Sequence, residues 1–139
     1  MPKVQRWGYL GPEHIEINNK GVIDSKARKA FMHGQCHSLA LAIRQLTGWP
    51  MFGFVDWEDG DKPTSPGHIA VWVPELEDYV DIAGRQALAR WREVFPDAEV
   101  HRIYPSIIKR GMHMYLPLNV DAAMPYARSV LRKYCGKAL

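Results

Sequence analysis

The segment Gly34-Gln35-Cys36-His37-Ser38-Leu39-Ala40-Leu41-Ala42-Ile43-Arg44-Gln45-Leu46-Thr47-Gly48-Trp49-Pro50 reads as one helix with a break at each end. From Cys36 to Leu46 it is apolar on most sides, as a helix packed inside a core must be. Gly48 supplies the stop and Pro50 the barrier to continuation. Upstream, Asp24 or Ser25 can cap a shorter helix through Met32, which Gly34 then breaks. Cys36 therefore stands at the head of a buried helix.

Downstream, residues 51–57 are apolar and aromatic with a glycine in mid-run, and 68–73 are bounded by Gly67 and Pro74, so both read as strands. Residues 79–82 read as a third. The link Pro74-Glu75-Leu76-Glu77-Asp78 is too short for a parallel crossover and predicts an antiparallel hairpin. Between the first two strands, residues 58–67 carry the turn chemistry of an exposed loop. Residues 87–95 read as a helix ended by Pro96, 100–104 and 112–116 as weaker strands, and 121–134 as a C-terminal helix with Pro125 in or near its first turn. The class is α+β, an antiparallel sheet packed with a buried helix.

Period-two alternation puts His68, Ala70 and Trp72 on one face of their strand and Ile69, Val71 and Val73 on the other. Small Ala70 leaves room for a packed helix. On the partner strand Tyr79 and Asp81 share a face, so the hairpin can bring Asp81 beside His68. A thiol becomes nucleophilic as thiolate, and the usual devices are a helix N-terminus and a nearby imidazole. Cys36 has the first by position, and the same first-turn N–H groups can hold an oxyanion. The candidate triad is Cys36 as nucleophile, His68 as base and Asp81 as orienter, in that chain order. Gln35, His37 and Trp72 are the candidate oxyanion and substrate-binding residues. Tyr104, Lys109, Arg110, His113 and Tyr115 are further candidates for shaping the substrate site.

Gly34-Gln35-Cys36 at a helix head, Gly67-His68 on a strand and Asp81 on the next together resemble the transglutaminase-like, papain-related cysteine enzymes. That superfamily includes transglutaminases, arylamine N-acetyltransferases and papain-like proteases. The resemblance covers about residues 24 to 84, and the segment 34–50 also looks like small phage and bacterial proteins. It implies a papain/transglutaminase-like core in which a helix bearing the cysteine packs on a sheet bearing the histidine and aspartate. It also implies hydrolysis or acyl transfer of the peptidase, isopeptidase or deamidase type, without a cofactor. The substrate would be a protein, a peptide or a small acyl compound. His37 stands where transglutaminases carry tryptophan, and Ala30 stands where papain-like proteases place an oxyanion-binding glutamine. Gln35 or a backbone amide is expected to substitute.

The 139 residues predict a single domain, since cores divide only beyond roughly 250 residues. At 47% hydrophobic and 24% charged the chain is neither disordered nor fibrous. The longest apolar runs fall far short of the roughly 20 residues that cross a bilayer, so no membrane role is expected. The N-terminus carries charge but no following apolar segment, which predicts no secretory signal and a cytoplasmic protein. Two cysteines, Cys36 and Cys135, are too few for a disulfide scaffold, and Cys135 reads as incidental.

The net charge of +3 is unevenly spread. Residues 1–35 carry six basic and three acidic groups, 36–100 five and eleven, and 101–139 seven and one. Arg128, Arg132 and Lys133 fall at helical spacing, as on a solvated face. They are also the contact surface of an alternative reading, a non-catalytic phage or bacterial binding protein that captures a host or partner macromolecule. Zinc is disfavoured because His33, Cys36, His37, His68 and Asp81 lack the spacing of a closed four-ligand set. Nucleic acid is not the expected partner, because Trp49, Trp57, Trp72 and Trp91 read as core and pocket wall rather than as stacking platforms.

Overall fold

The computed structural model describes residues 1–56, 66–110 and 116–137. It opens on a hairpin that the sequence reading leaves unassigned, β1 (Lys3–Gly8) and β2 (Gly11–Glu16), paired antiparallel from Lys3↔Glu16 to Gly8↔Gly11. Its strands are largely exposed and interleave charged with apolar residues, so no apolar run marks them. Helix α1 (Ser25–Met32) is capped by Asp24, whose carboxylate accepts from the Ala27 N–H at 2.9 Å. Helix α2 (Cys36–Thr47) follows and ends at Gly48, which has a left-handed φ of 75°.

The main sheet then forms from β3 (Met51–Val55), β4 (His68–Val73), β5 (Asp78–Asp81), the two-residue β6 (Gly84–Arg85) and, after helix α3 (Ala87–Val94), β7 (Glu99–Ile103). Its order is β6-β5-β4-β3-β7, antiparallel throughout, with the His68 strand in the middle. Helix α4 (Pro105–Arg110) and the long α5 (Val120–Cys135) complete the chain. The strand expected over 112–116 lies outside the described residues apart from Leu116, as do Trp57 and most of the expected 58–67 loop. Pro125 lies at the sixth position of α5, just past its first turn.

The sheet is covered on both faces. Ile69, Val71 and Val73 of β4 join Met51, Val80 and the buried α2 residues Leu39, Ala40 and Ile43 in the main core. Phe31 of α1 and Tyr126 of α5 meet in the same core with ring centroids 5.1 Å apart. On the opposite face Phe54, Ala70 and Ala87 form a second cluster, closed by Tyr79, Leu88 and Trp91. The helix that small Ala70 admits is therefore α3, whereas the cysteine-bearing α2 rests on the Ile69 face. No helix among the described residues is long and apolar enough to cross a membrane.

Gly34 is where the hairpin meets the core. Its φ of +127° is strained for any L side chain, and a Cβ there would lie 2.6 Å from Leu116 Cδ1 and 3.0 Å from the β1 backbone at Arg6 and Trp7. Backbone cannot move aside as a flexible side-chain tip can. Gly34→Ala is expected to cost about 2–4 kcal/mol, read as a lower urea midpoint at unchanged m-value. A variant as stable as the parent would refute this packing.

Candidate active site

Three elements deliver three side chains to one end of the sheet. Cys36 is half-buried at the first turn of α2, His68 opens β4, and Asp81 closes β5. The β4–β5 register, Trp72↔Tyr79, carries Asp81 two residues further along β5 toward His68. His68 Nε2 lies 2.9 Å from Asp81 Oδ2, with the two side chains 2% and 3% exposed. That leaves Nδ1 as the ring nitrogen without Asp81, and Cys36 is close enough for its sulfur to raise the proton affinity of the ring.

Burial by itself lowers the proton affinity of the His68 ring, because a charged imidazolium is poorly solvated there. Hydrogen bonds to Asp81 and Cys36, with the charges of both, overcome that and raise the His68 pKa to about 10. Both neighbours favour the protonated ring. Burial pushes the Asp81 carboxyl up, but the His68 hydrogen bond, the charges of His68 and Arg90, and the Ala83 N–H hold it below the ordinary carboxylate value.

Arg90 is the residue that sequence reading missed. Its Nη2 lies 2.5 Å from Asp81 Oδ1, which also accepts the Ala83 N–H at 2.9 Å, and its Nη1 donates to the Arg85 carbonyl. Both carboxylate oxygens are thereby engaged, one by His68 and one by Arg90. The signal was available, since an aspartate expected on a buried strand needs a cation. Arg85, Arg90 and Arg92 follow it closely, and the turn that selects Arg90 depends on Gln86 taking a left-handed φ of 66°, which the sequence does not advertise. Trp91, next to Arg90 on α3, stacks on the His68 ring at 5.9 Å and 15°.

The polar residues flanking Cys36 have structural work. Gln35 is fully buried, and its amide donates both hydrogens, to the Gln5 carbonyl at 2.9 Å and the Pro117 carbonyl at 3.0 Å. Its oxygen accepts from Ser38 Oγ at 2.6 Å. No amide donor remains for an oxyanion, which corrects the expectation for its side chain. His37 is also fully buried, with Nε2 bonded to the Leu116 carbonyl at 2.7 Å, so it faces the interior rather than substrate. Ser38 Oγ accepts the Asn119 N–H at 3.0 Å. Gln35, His37 and Ser38 thus stitch the first turn of α2 to residues 116–119 and fix where Cys36 points.

Burial holds the His37 ring below its ordinary pKa, against the smaller opposing effect of the Leu116 carbonyl. The unfolded chain takes up a proton near pH 6.5 and the folded one does not, so stability falls as pH drops below that value. His37→Gln is expected to flatten this acid limb, measured as urea midpoints between pH 7 and pH 5.

Trp72 is not brought to the site. It lies four residues, about 13 Å of strand, from His68, edge-on to Tyr79 at 4.9 Å. Tyr104 is exposed beneath Arg102, and Lys109 lines a separate cleft of about 240 Å³ with Leu41, Arg44 and Gln45, down α2 from Cys36. Arg110 is exposed at the end of α4, and His113 and Tyr115 lie outside the described residues. His33 sits at the turn before Cys36. Partial burial lowers its pKa, helped by the charges of Arg6 and His68. Among the described residues no group of three His, Cys, Asp or Glu side chains is disposed to hold a metal ion. Cys135 lies half-buried at the end of α5, and burial pushes its thiol above the ordinary range.

Fold and site together define an α+β domain that brings a thiol, an imidazole and a carboxylate to one end of its sheet. Comparison with protein-family models, with curated proteins and with solved structures finds no match.

Proposed function

We propose that this chain is a cysteine hydrolase or acyl transferase built on a papain/transglutaminase-like core. The observation that carries the reading is the buried His68, hydrogen-bonded to Asp81 at 2.9 Å and close enough to Cys36 for the sulfur to raise its proton affinity. A structural histidine needs one satisfied partner; this one links a half-exposed thiol to a carboxylate that a third side chain holds in place.

In this mechanism the Cys36 thiol gives its proton to His68 Nδ1, and the resulting thiolate attacks the carbonyl carbon of an amide, ester or thioester. The backbone N–H of Cys36, at a helix start that Gln35 leaves without a side-chain cap, stabilises the developing oxyanion. The tetrahedral intermediate collapses by breaking the bond to the leaving group, which takes the proton from His68 Nδ1. A thioester remains on Cys36. Water or an amine then attacks it, giving a proton to His68 as the thiolate departs. The proton and electron count closes with Cys36, His68 and the acceptor alone, so the mechanism calls for no cofactor.

The test is acylation by p-nitrophenyl acetate. A burst of nitrophenolate stoichiometric with protein, and an acetyl thioester on the Cys36 peptide by mass spectrometry, are expected. Cys36→Ala should abolish both. Acceleration of the second phase by added amines would assign acyl transfer rather than hydrolysis. No burst, or acylation at Cys135 alone, would overturn the reading.

A further inference from the structure

The loop between β2 and α1 is held against α5 by an unusual number of fastenings. Asn18 Oδ1 accepts the N–H groups of Lys20 at 3.1 Å and Val22 at 2.9 Å, while its Nδ2 donates to the Val22 carbonyl at 2.8 Å. From α5, the Tyr126 hydroxyl donates to the Asn18 carbonyl and Ser129 Oγ to the Gly21 carbonyl, both at 2.7 Å. Gly21 has a φ of +76°, and a Cβ on it would run into the Pro125 carbonyl. The loop is thus a rigid ledge, and between it and α5 lies an open cleft of about 550 Å³.

Lys20 lines that cleft from the loop, and Ser129, Arg132 and Lys133 line it from α5. No acidic side chain lines it among the described residues, and Lys20 and Lys133 enter no ion pair there. Val22, 58% exposed, adds an apolar patch beside the charges. The like charges of Lys20 and Lys133 across one concavity repel each other, and an anionic occupant relieves that repulsion. The cleft is open and partly apolar, with no aromatic side chain in its lining for bases to stack on. That favours an extended acidic peptide with an apolar residue over a nucleic acid.

We infer that the cleft between residues 20–23 and α5 is a docking site for an acidic, leucine- or valine-containing segment of a partner protein. It is distinct from the Cys36 site. The Asn119 N–H meets Ser38 near Cys36, and Ser129 to Lys133 follow ten to fourteen residues later, about 15–20 Å along α5. The inference does not depend on thiol chemistry.

The experiment uses fluorescence anisotropy of the full chain with a labelled peptide of about ten residues, rich in Asp and Glu around a central Leu. Lys20→Glu and Lys133→Glu are each expected to weaken binding at least about tenfold, and raising the salt should weaken it further. Lys3→Glu makes the same charge change on the hairpin and should alter binding less than about twofold. Unchanged alkylation of Cys36 shows that the variants are folded, and Lys20→Gln with Lys133→Gln gives a milder pair if the reversals unfold. Absence of peptide binding, equal weakening by all three reversals, or tighter binding of a single-stranded oligonucleotide of equal length would overturn the inference.

Discussion

Asp81→Ala is expected to lose about 3–5 kcal/mol of stability at pH 6, the cost of removing one partner from a buried charged pair. The substitution strips the hydrogen-bond partner from a His68 ring that is 2% exposed and the counter-ion from Arg90, and it leaves the Ala83 N–H without its acceptor. The deficit depends on pH in a direction the two groups dictate. The His68 pKa is raised from 6.5 to about 10, so its contribution is complete below pH 6.5 and is lost as pH rises toward 10. Asp81 is held below its ordinary 3.8, so its contribution is present above that value and is lost at lower pH. The gap between parent and variant is therefore widest between about pH 4 and pH 6.5. Urea midpoints across pH 4 to 9 measure it, and a gap that stays constant with pH would show that the pair carries no linked protons.

His68→Ala carries the largest expected effect on reactivity. Removing the imidazolium removes the positive charge that the Cys36 sulfur faces, and the rate of Cys36 alkylation at pH 6.5 should fall by about a hundredfold. Arg90→Gln tests the same chain one step further out. Arg90 touches Asp81 rather than the sulfur, so it is a positioning residue, and its loss should slow alkylation less than the loss of His68 while displacing the pH profile in the same direction. If His68→Ala left the rate unchanged, the imidazole would be a packing element beside an unrelated thiol.

Much of the site is legible in the sequence because it rests on local rules. Helix α2 follows from its apolar run and the glycines at either end, and the face shared by His68, Ala70 and Trp72 follows from strand alternation. The hairpin that places Asp81 follows from the length of its link. What local rules cannot show is which partner a polar residue finds far along the chain. Gln35 bonds residues 30 and 82 positions away, and His37 bonds one 79 positions away. Beside a cysteine they look like substrate-binding groups, whereas in the fold they are fasteners. Trp72 shares a strand face with His68, yet face is not proximity, and about 13 Å of strand separates them. The Arg90 contact was hidden by the left-handed turn at Gln86, and the N-terminal hairpin by exposed strands in which charged residues interrupt the apolar ones.

The claim that the rest depends on is that Cys36 is activated by His68. The most direct test is the rate of iodoacetamide alkylation of the intact chain at pH 6.5, read by peptide mass spectrometry with Cys135 as the internal comparison. Burial pushes the Cys135 thiol up, so it marks the rate of an inactive cysteine in the same tube. The account predicts that Cys36 reacts at least about tenfold faster than Cys135, and that the excess disappears in His68→Ala. Equal, slow reaction of the two cysteines would contradict it.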